Sequence, residues 1–533
     1  MSFKSERFRI ILTSLLFVPG LFLLSCENPA SSNPPANNNS DDPEVIYITE
    51  TGEFEEPDYN PDPRTWYIST SDALLIGSEG DAGKNLNLDT DGDGSIDVWN
   101  VSVQDSFRKV NNTDNMGISN VKPGDTILLK RGEEFYGPMI LNSRGRSDQP
   151  ITIGSYGNSS DPKPVIKLFD TRAEVGDNDY AVILNNPSHF IIENIRIENA
   201  FAGIYLRYEG SYEHRSITIR DCEMHNIRLE DSDVYDEWKE SWKRGNEMAY
   251  PSAIAVGGRG WSDFSGPVLR DLTVERVDVT DSGTAVAIGY YWLNPSNYDY
   301  KVYNLNIDEV HCFDGTQGLL QINYVSGGTI KRSSSINTTS YNSSGIAGSF
   351  VEFCEDLVIR DNEFSGTSRV NVPDGSGGTL YTYDGAGFDF EGDCFNMVFE
   401  RNLLRNNEGA GLIICHSKSG NPSTVTIRDN LFYNNSTDTD VPDRVNSGIG
   451  YLNSCFEIFI DYAAPGVSNA RGSITGNKFY KHTNSFSVTG YPDIQPDYFS
   501  PATKTGFDIN GNTEGIYSDG DTIGSPYNDP RNL

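Results

Sequence analysis

The stretch LVIRDNEF, residues 357–364, recurs down the chain as MVFERNLL at 397–404, VTIRDNLF at 425–432 and GSITGNKF at 472–479, and each copy carries asparagine at its sixth place: Asn362, Asn402, Asn430 and Asn477. Looser versions are FIIENIRI at 190–197, SITIRDCEM at 216–224, LTVERVDV at 272–279 and LNIDEVHC at 305–312. Apolar residues alternate with polar ones inside each run, which predicts a strand with one face buried. The runs keep their pattern while the interval between them varies. A solenoid does this, because its turns absorb insertions while its strands stack in register. Asparagine at a bend can hydrogen-bond from coil to coil, so the four are predicted to stack at one corner.

A second strand follows most of these runs and begins with a small residue: GIYLRYEG from Gly203, AIAVGGRG from Ala253, AVAIGYYW from Ala285, GLLQINYV from Gly318, GIAGSFVEF from Gly345, GFDFEGD from Gly387, GLIICHS from Gly411 and GIGYLNS from Gly448. The clearest pair, GAGFDFEGD at 385–393 and GAGLIICHS at 409–417, is offset by one coil. Alternation sends Ile204, Ile254, Val286, Leu319, Ile346, Phe388, Leu412 and Ile449 inward as one stacked apolar row. The fold class is therefore all-β, a parallel β-helix, spanning residues 181–483.

Upstream, RTWYIST at 64–70 reads as an early strand, DSFRKVNN at 105–112 as a short amphipathic helix, and VKPGDTILLKRGEEFYGPMILN at 121–142 as two strands around a glycine-containing turn. With PITIGSYGN at 150–158 and KPVI at 163–166, residues 44–180 resemble the N-terminal cap and first coils of bacterial right-handed β-helix proteins of the pectin-lyase-like class. The resemblance runs over roughly residues 64–483. It implies a right-handed solenoid with loops walling a groove, in a class that contains lyases, glycosidases, epimerases and adhesins. Residues 484–533 are left as a tail or C-terminal cap.

Lys4, Arg7 and Arg9 precede the apolar run of residues 10–24, which is too short and too interrupted by Pro19-Gly20 to read as a membrane span. The sequence Leu23-Leu24-Ser25-Cys26 resembles the bacterial lipobox, which implies a signal peptide over 1–25, lipidation of Cys26 and a lipid-anchored protein exported to the bacterial cell envelope. An unmodified Cys26 behind a plain secretory signal is the other reading. Residues 26–43, rich in Pro, Asn and Ser, are predicted to be a disordered tether. The formal charge of −35, from 41 Lys+Arg against 76 Asp+Glu, repels nucleic acid and anionic membrane surfaces. It suits a neutral glycan, or an acidic one bridged by cations. None of the seven cysteines forms a CxxC pair, so metal-thiolate chemistry has no sequence support. The chain is read as a monomer.

Long insertions precede the small-residue strand at 227–252, 366–385 and 435–447, and follow it at 258–270, 290–303 and 453–470. Loops flanking one strand of every coil build the walls of a groove over that strand, and its outward side chains are the site candidates. The densest group is Asp384, Asp389, Glu391 and Asp393. With Phe388 and Phe390 inward, Asp389 and Glu391 share the outer face about 6.5–7 Å apart at their Cα atoms. Inverting glycosidases hold two carboxyl groups roughly 6.5–9.5 Å apart, so an acid and a base fit there. A cation site and a solvated acidic ladder remain alternatives. His416, on the next coil, is placed to carry a proton. Arg207, Arg259, Trp261, Tyr291 and Trp292 are read as substrate-binding, since sugar C–H faces stack on aromatic rings and Arg neutralises a uronate. Trp238 and Trp242 either join them or anchor an insertion.

A sharper motif is DTDGDGSID, in which Asp89, Asp91, Asp93 and Asp97 occupy positions 1, 3, 5 and 9 of a calcium loop and Gly94 supplies the turn. It resembles the loops of dockerin and thrombospondin type 3 repeats, although Asn100 takes the place of the bidentate Glu. The expected cofactor is a structural Ca2+. The leading function is polysaccharide binding and cleavage by a glycoside hydrolase. A calcium-dependent polysaccharide lyase and a non-enzymatic adhesin are the alternatives.

Overall fold

Val425 and Ile427 are buried while Thr424, Thr426 and Arg428, which alternate with them, are not, and the same two-residue alternation recurs in strand after strand. It follows from the pleat, which turns successive side chains to opposite faces. The computed structural model describes residues 56–70, 98–100, 121–175, 179–209, 213–228, 251–258, 267–289, 299–339, 347–369, 371–373, 379–381, 385–415, 421–437, 456–460, 470–480, 497–499 and 506–515. Residues 1–43, the calcium-type loop at 89–97 and the expected helix at 105–112 lie outside these.

Most of the described coils have three strands. Met397–Glu400, Leu403–Arg405 and Leu412–Ile414 form one, and they pair in parallel with Thr424–Arg428, Leu431–Tyr433 and Phe456–Ile460 of the next. Two of the three faces are joined by 12-residue strands such as His214–His225 and Leu269–Thr280, and so merge into a 23-stranded sheet; the third face is an 11-stranded sheet built from the small-residue strands, the groove sheet below. One apolar cluster fills the coil from Ile68 to Phe507. Burial of each Ile, Leu or Val in it contributes about 1.5–3 kcal/mol against the entropy of ordering the chain.

The corners explain the recurring polar pair. Asp361, Arg401 and Asp429 each take a left-handed conformation, with φ between 53° and 57°, and the asparagine that follows turns into the coil. Asn362 donates both its backbone N–H and its Nδ2 to Asn402 Oδ1, Asn402 does the same to Asn430, Asn430 to Asn477, and Asn477 to Asn512. The predicted stack of four is therefore present and runs one asparagine further. Its side chains also donate to backbone carbonyls, of Ile359 from Asn402 and of Phe399 from Asn430.

Three register details differ from expectation. Leu320, not Leu319, lies beside Val286, because Gly318 pairs with Thr284 and not with the small residue Ala285 that follows it; both leucines are buried in the core. After Leu412 the inward row passes to Ile458, so Phe456–Ile460 is the groove-sheet strand within what reads as an insertion at 453–470; Ile346 and Ile449 lie outside the described residues. Residues 121–142 form three strands, Thr126–Lys130, Glu134–Tyr136 and Met139–Leu141, since the chain turns at Gly132 and again at Gly137. Together these three make a full coil.

Candidate functional site

On the groove sheet, Ile204, Ile254 and Val286 point inward, so their neighbours form outward columns that the pairing register defines. One column runs Tyr205, Ala255, Ala287, Gln321, Phe350, Asp389, Ile413 and Phe459. The other runs through Arg207, Gly257, Asn323 and Glu352 to Gly392. The acidic candidates sit where these columns cross the strand Phe388–Gly392.

That strand is irregular. Phe390 pairs with Val351 and Gly392 with Glu352, which leaves Glu391 as the extra residue of a β-bulge. A bulge re-aims the side chain it inserts and is common beside active sites. Here Glu391 is turned toward Asp389 and Cys415: one oxygen of each carboxylate and the sulfur of Cys415 all lie within 4.8 Å of one another. Cys415 Sγ is 3.9 Å from Asp389 Oδ2 and 3.8 Å from Glu391 Oε2. Asp389 is 2% exposed, between Phe350 and Ile413 in its column, whereas Glu391 and Cys415 are half-buried. A small apolar cluster outside the main core, with Ile413, Phe456 and Phe459, packs against Cys415 and keeps the surroundings of the pair low in polarity.

With one oxygen of each within 4.8 Å, the two carboxylates approach more closely than the roughly 6.5–9.5 Å of inverting enzymes, on the side of the shorter ~5–5.5 Å spacing of retaining ones. Glu352 adds a third acid, 1% exposed and in register with Gly392. Asp393 does not share this face: it is the left-handed corner residue after the strand, at φ 48°, in the position that Phe353 and Tyr324 fill on the two preceding coils. Arg207 lies on the outer face five strands away and pairs with Glu209 at 2.7 Å. Asp384, Arg259, Trp261, Tyr291, Trp292 and His416 lie outside the described residues, as do Trp238, Trp242, Asp89, Asp91, Asp93, Asp97 and Cys26.

Cys415 and Glu352 are missed by the sequence reading. The one-coil offset that aligns the two GAG strands maps Glu391 onto Cys415, so the first was within reach. Glu352 was hidden because its strand is only Phe350–Glu352, and counting alternation from Gly345 starts too early.

A solved GH136 lacto-N-biosidase from Eubacterium ramulus superimposes with a TM-score of 0.52 at 16% identity, over 85% of this chain and 68% of that one. This chain has the fold of a right-handed parallel β-helix. Among β-helix structures, the pectate lyase Pel9A aligns at 12% identity with a TM-score of 0.35, over 87% of this chain and 84% of that one. In sequence, a curated lacto-N-biosidase from Bifidobacterium longum subsp. longum is 24% identical over 460 residues, which is 71% of this β-helix chain. The match spans 28% of that relative's length. No family model matches the chain.

Proposed function

We propose that this protein is an exported, lipid-anchored glycoside hydrolase that cleaves a polysaccharide or oligosaccharide laid along the groove sheet, with Asp389 and Glu391 as its carboxylate pair. The observation that carries the reading is the bulge at Glu391, which brings its carboxylate to within 4.8 Å of that of Asp389 on the outer face. The match to a protein named lacto-N-biosidase supports a glycosidic bond as the target.

The spacing favours a double displacement with retention. Asp389, fixed in the sheet floor, attacks the anomeric carbon as a carboxylate while Glu391 gives its proton to the departing glycosidic oxygen. Water then attacks the same carbon, Glu391 takes its proton, and the ester to Asp389 breaks. Glu391 is assigned the proton-carrying role because it is half-exposed and must exchange with water between steps, whereas Asp389 needs only to hold position. A calcium-dependent lyase is disfavoured at this pair, since calcium takes hard oxygen donors and the third group here is a thiol.

The lipid anchor at Cys26, export to the cell envelope and a structural calcium at Asp89, Asp91, Asp93 and Asp97 belong to the same proposal and rest on sequence motifs. The test is to incubate the purified protein with the 4-nitrophenyl glycoside of lacto-N-biose and a panel of neutral and uronic polysaccharides, following reducing ends and the anomer first released. Reducing ends with retained configuration support the proposal. Unsaturated products absorbing in the ultraviolet would replace it with a lyase.

A further inference from the structure

Two coils before the carboxylate pair, the groove sheet holds a buried amide whose placement the fold alone does not explain. Ile322 points into the core, so Asn323 projects outward, in register with Glu352 on the next coil and, through it, with Gly392. Asn323 is 3% exposed. Its Nδ2 reaches back 3.4 Å to the Ile288 carbonyl of the preceding coil, which fixes the amide orientation and turns Oδ1 away. Among the described residues, Oδ1 meets no donor. Buried polar atoms without partners are rare and destabilise the folded chain unless something supplies the missing bond.

The neighbourhood holds Asn323 in this pose. Gly289, at φ +81°, lies under it, and a Cβ there would come within 3.2 Å of Asn323 Cβ and 3.3 Å of the Tyr324 ring. Gln321, in the adjacent column, is steered by Nε2 donation to Gln317 Oε1 at 2.7 Å, an oxygen that also accepts from Thr284.

We infer that Asn323 and Gln321 form a subsite for a neutral sugar ring, in which Asn323 Oδ1 accepts a hydrogen bond from a ring hydroxyl or an acetamido N–H. This rests on the reading of the groove sheet as the glycan-binding face and names the substrate class for it. Coils rise about 4.8 Å each, so Asn323 stands roughly 10 Å from Glu391 along the helix axis, the reach of a short oligosaccharide from the bond being broken. The outward positions from here to Cys415 are Gln321, Asn323, Phe350, Glu352, Asp389, Glu391 and Ile413, with no cation among them. Acceptors and acids welcome hydroxyl and amide donors and repel uronate carboxylates.

The experiment uses Asp389→Asn protein, so that bound glycan is not consumed, on an array of neutral oligosaccharides alongside oligogalacturonate and oligoalginate. Adding Asn323→Leu, similar in size but without the oxygen, is expected to weaken retention of neutral glycans roughly tenfold, to leave the melting temperature unchanged or raise it, and in the parent background to raise KM on any cleaved probe. Asn323→Ala provides a second variant should leucine disturb the fold. A melting temperature lowered in both variants would assign Asn323 to holding the coil and overturn the inference, as would unchanged retention, preferential retention of the uronates, or retention of no glycan. A protein that cleaves no probe yet retains neutral glycans through Asn323 would sink the hydrolase reading alone. One that cleaves a neutral probe with KM and retention indifferent to Asn323 would sink only this inference.

Discussion

Cys415 Sγ lies 3.8 Å from Glu391 Oε2, although the two residues are 24 apart in the chain. One coil of the solenoid separates them, so a sequence interval becomes a side-by-side contact. The same step sets Ile413 beside Asp389, so the next coil gives the acid both an apolar neighbour and a nearby thiol. The bulge makes the convergence possible, because a regular strand would have kept the Asp389 and Glu391 side chains at the spacing of alternate residues.

Cys415 should be the first of the described cysteines to react. Burial pushes the thiols of Cys222, Cys312 and Cys354 up to about 12 and that of Cys394 well above its ordinary range, and all four are enclosed, whereas Cys415 is half-buried. Alkylation of the native protein at pH 8, resolved by site with mass spectrometry, is expected to modify Cys415 at least tenfold faster than these four. Equal rates would mean that the coil interior opens.

The asparagine ladder makes its own stability claim. Asn402→Ala removes the acceptor of both Asn362 donors inside the coil, and a loss of about 2–3 kcal/mol is expected from urea unfolding. Asn512→Ala, at the half-buried end of the ladder, should cost less than about 1 kcal/mol. Equal losses would show that the ladder is not a cooperative feature of the interior.

His214 supplies a pH dependence. Burial, with a smaller contribution from Arg144, lowers its imidazole to about 3; the ring lies 4.8 Å from the Tyr208 ring and its Nδ1 3.2 Å from Ser188 Oγ. The unfolded chain binds that proton near pH 6.5, so the stabilisation is fully present above pH 6.5 and is lost as pH falls from there toward 3. Comparing His214→Phe with the parent should show a parent-specific loss of several kcal/mol over that window. Parallel stability curves would contradict a neutral buried His214.

For the calcium-type loop, added calcium is expected to raise the melting temperature, and Asp91→Ala to remove most of that response. A response that survives the substitution would move the ion elsewhere.

The coil and its corner ladder were legible because they depend on local rules repeated many times: alternation, β-branched runs, and a polar left-handed residue before an asparagine. The outward placement of Asp389 was legible for the same reason. What escaped was set between coils or by irregularity. The pairing of Leu320 rather than Leu319 with Val286, the location of the strand at Phe456–Ile460 and the bulge at Glu391 depend on how one coil lies on the next. Asp393 looked like a fourth strand acid because alternation cannot announce where a corner begins; its left-handed backbone does. Asn323 carried no signal, since the missing partner of its Oδ1 exists only once the coils are stacked.

The central claim is that Asp389 and Glu391 are a nucleophile and an acid/base, and the most direct measurement is turnover by Asp389→Asn, Glu391→Gln and the double amide on whichever glycan the parent cleaves, each with and without added azide. Either single amide is predicted to lower turnover at least a thousandfold with the melting temperature and glycan retention nearly unchanged, and azide is predicted to restore a glycosyl azide product in Glu391→Gln by taking the place of the activated water. The parent should show a bell-shaped pH profile, since one carboxyl must be ionised and the other protonated. Full activity in the double amide would contradict the account outright.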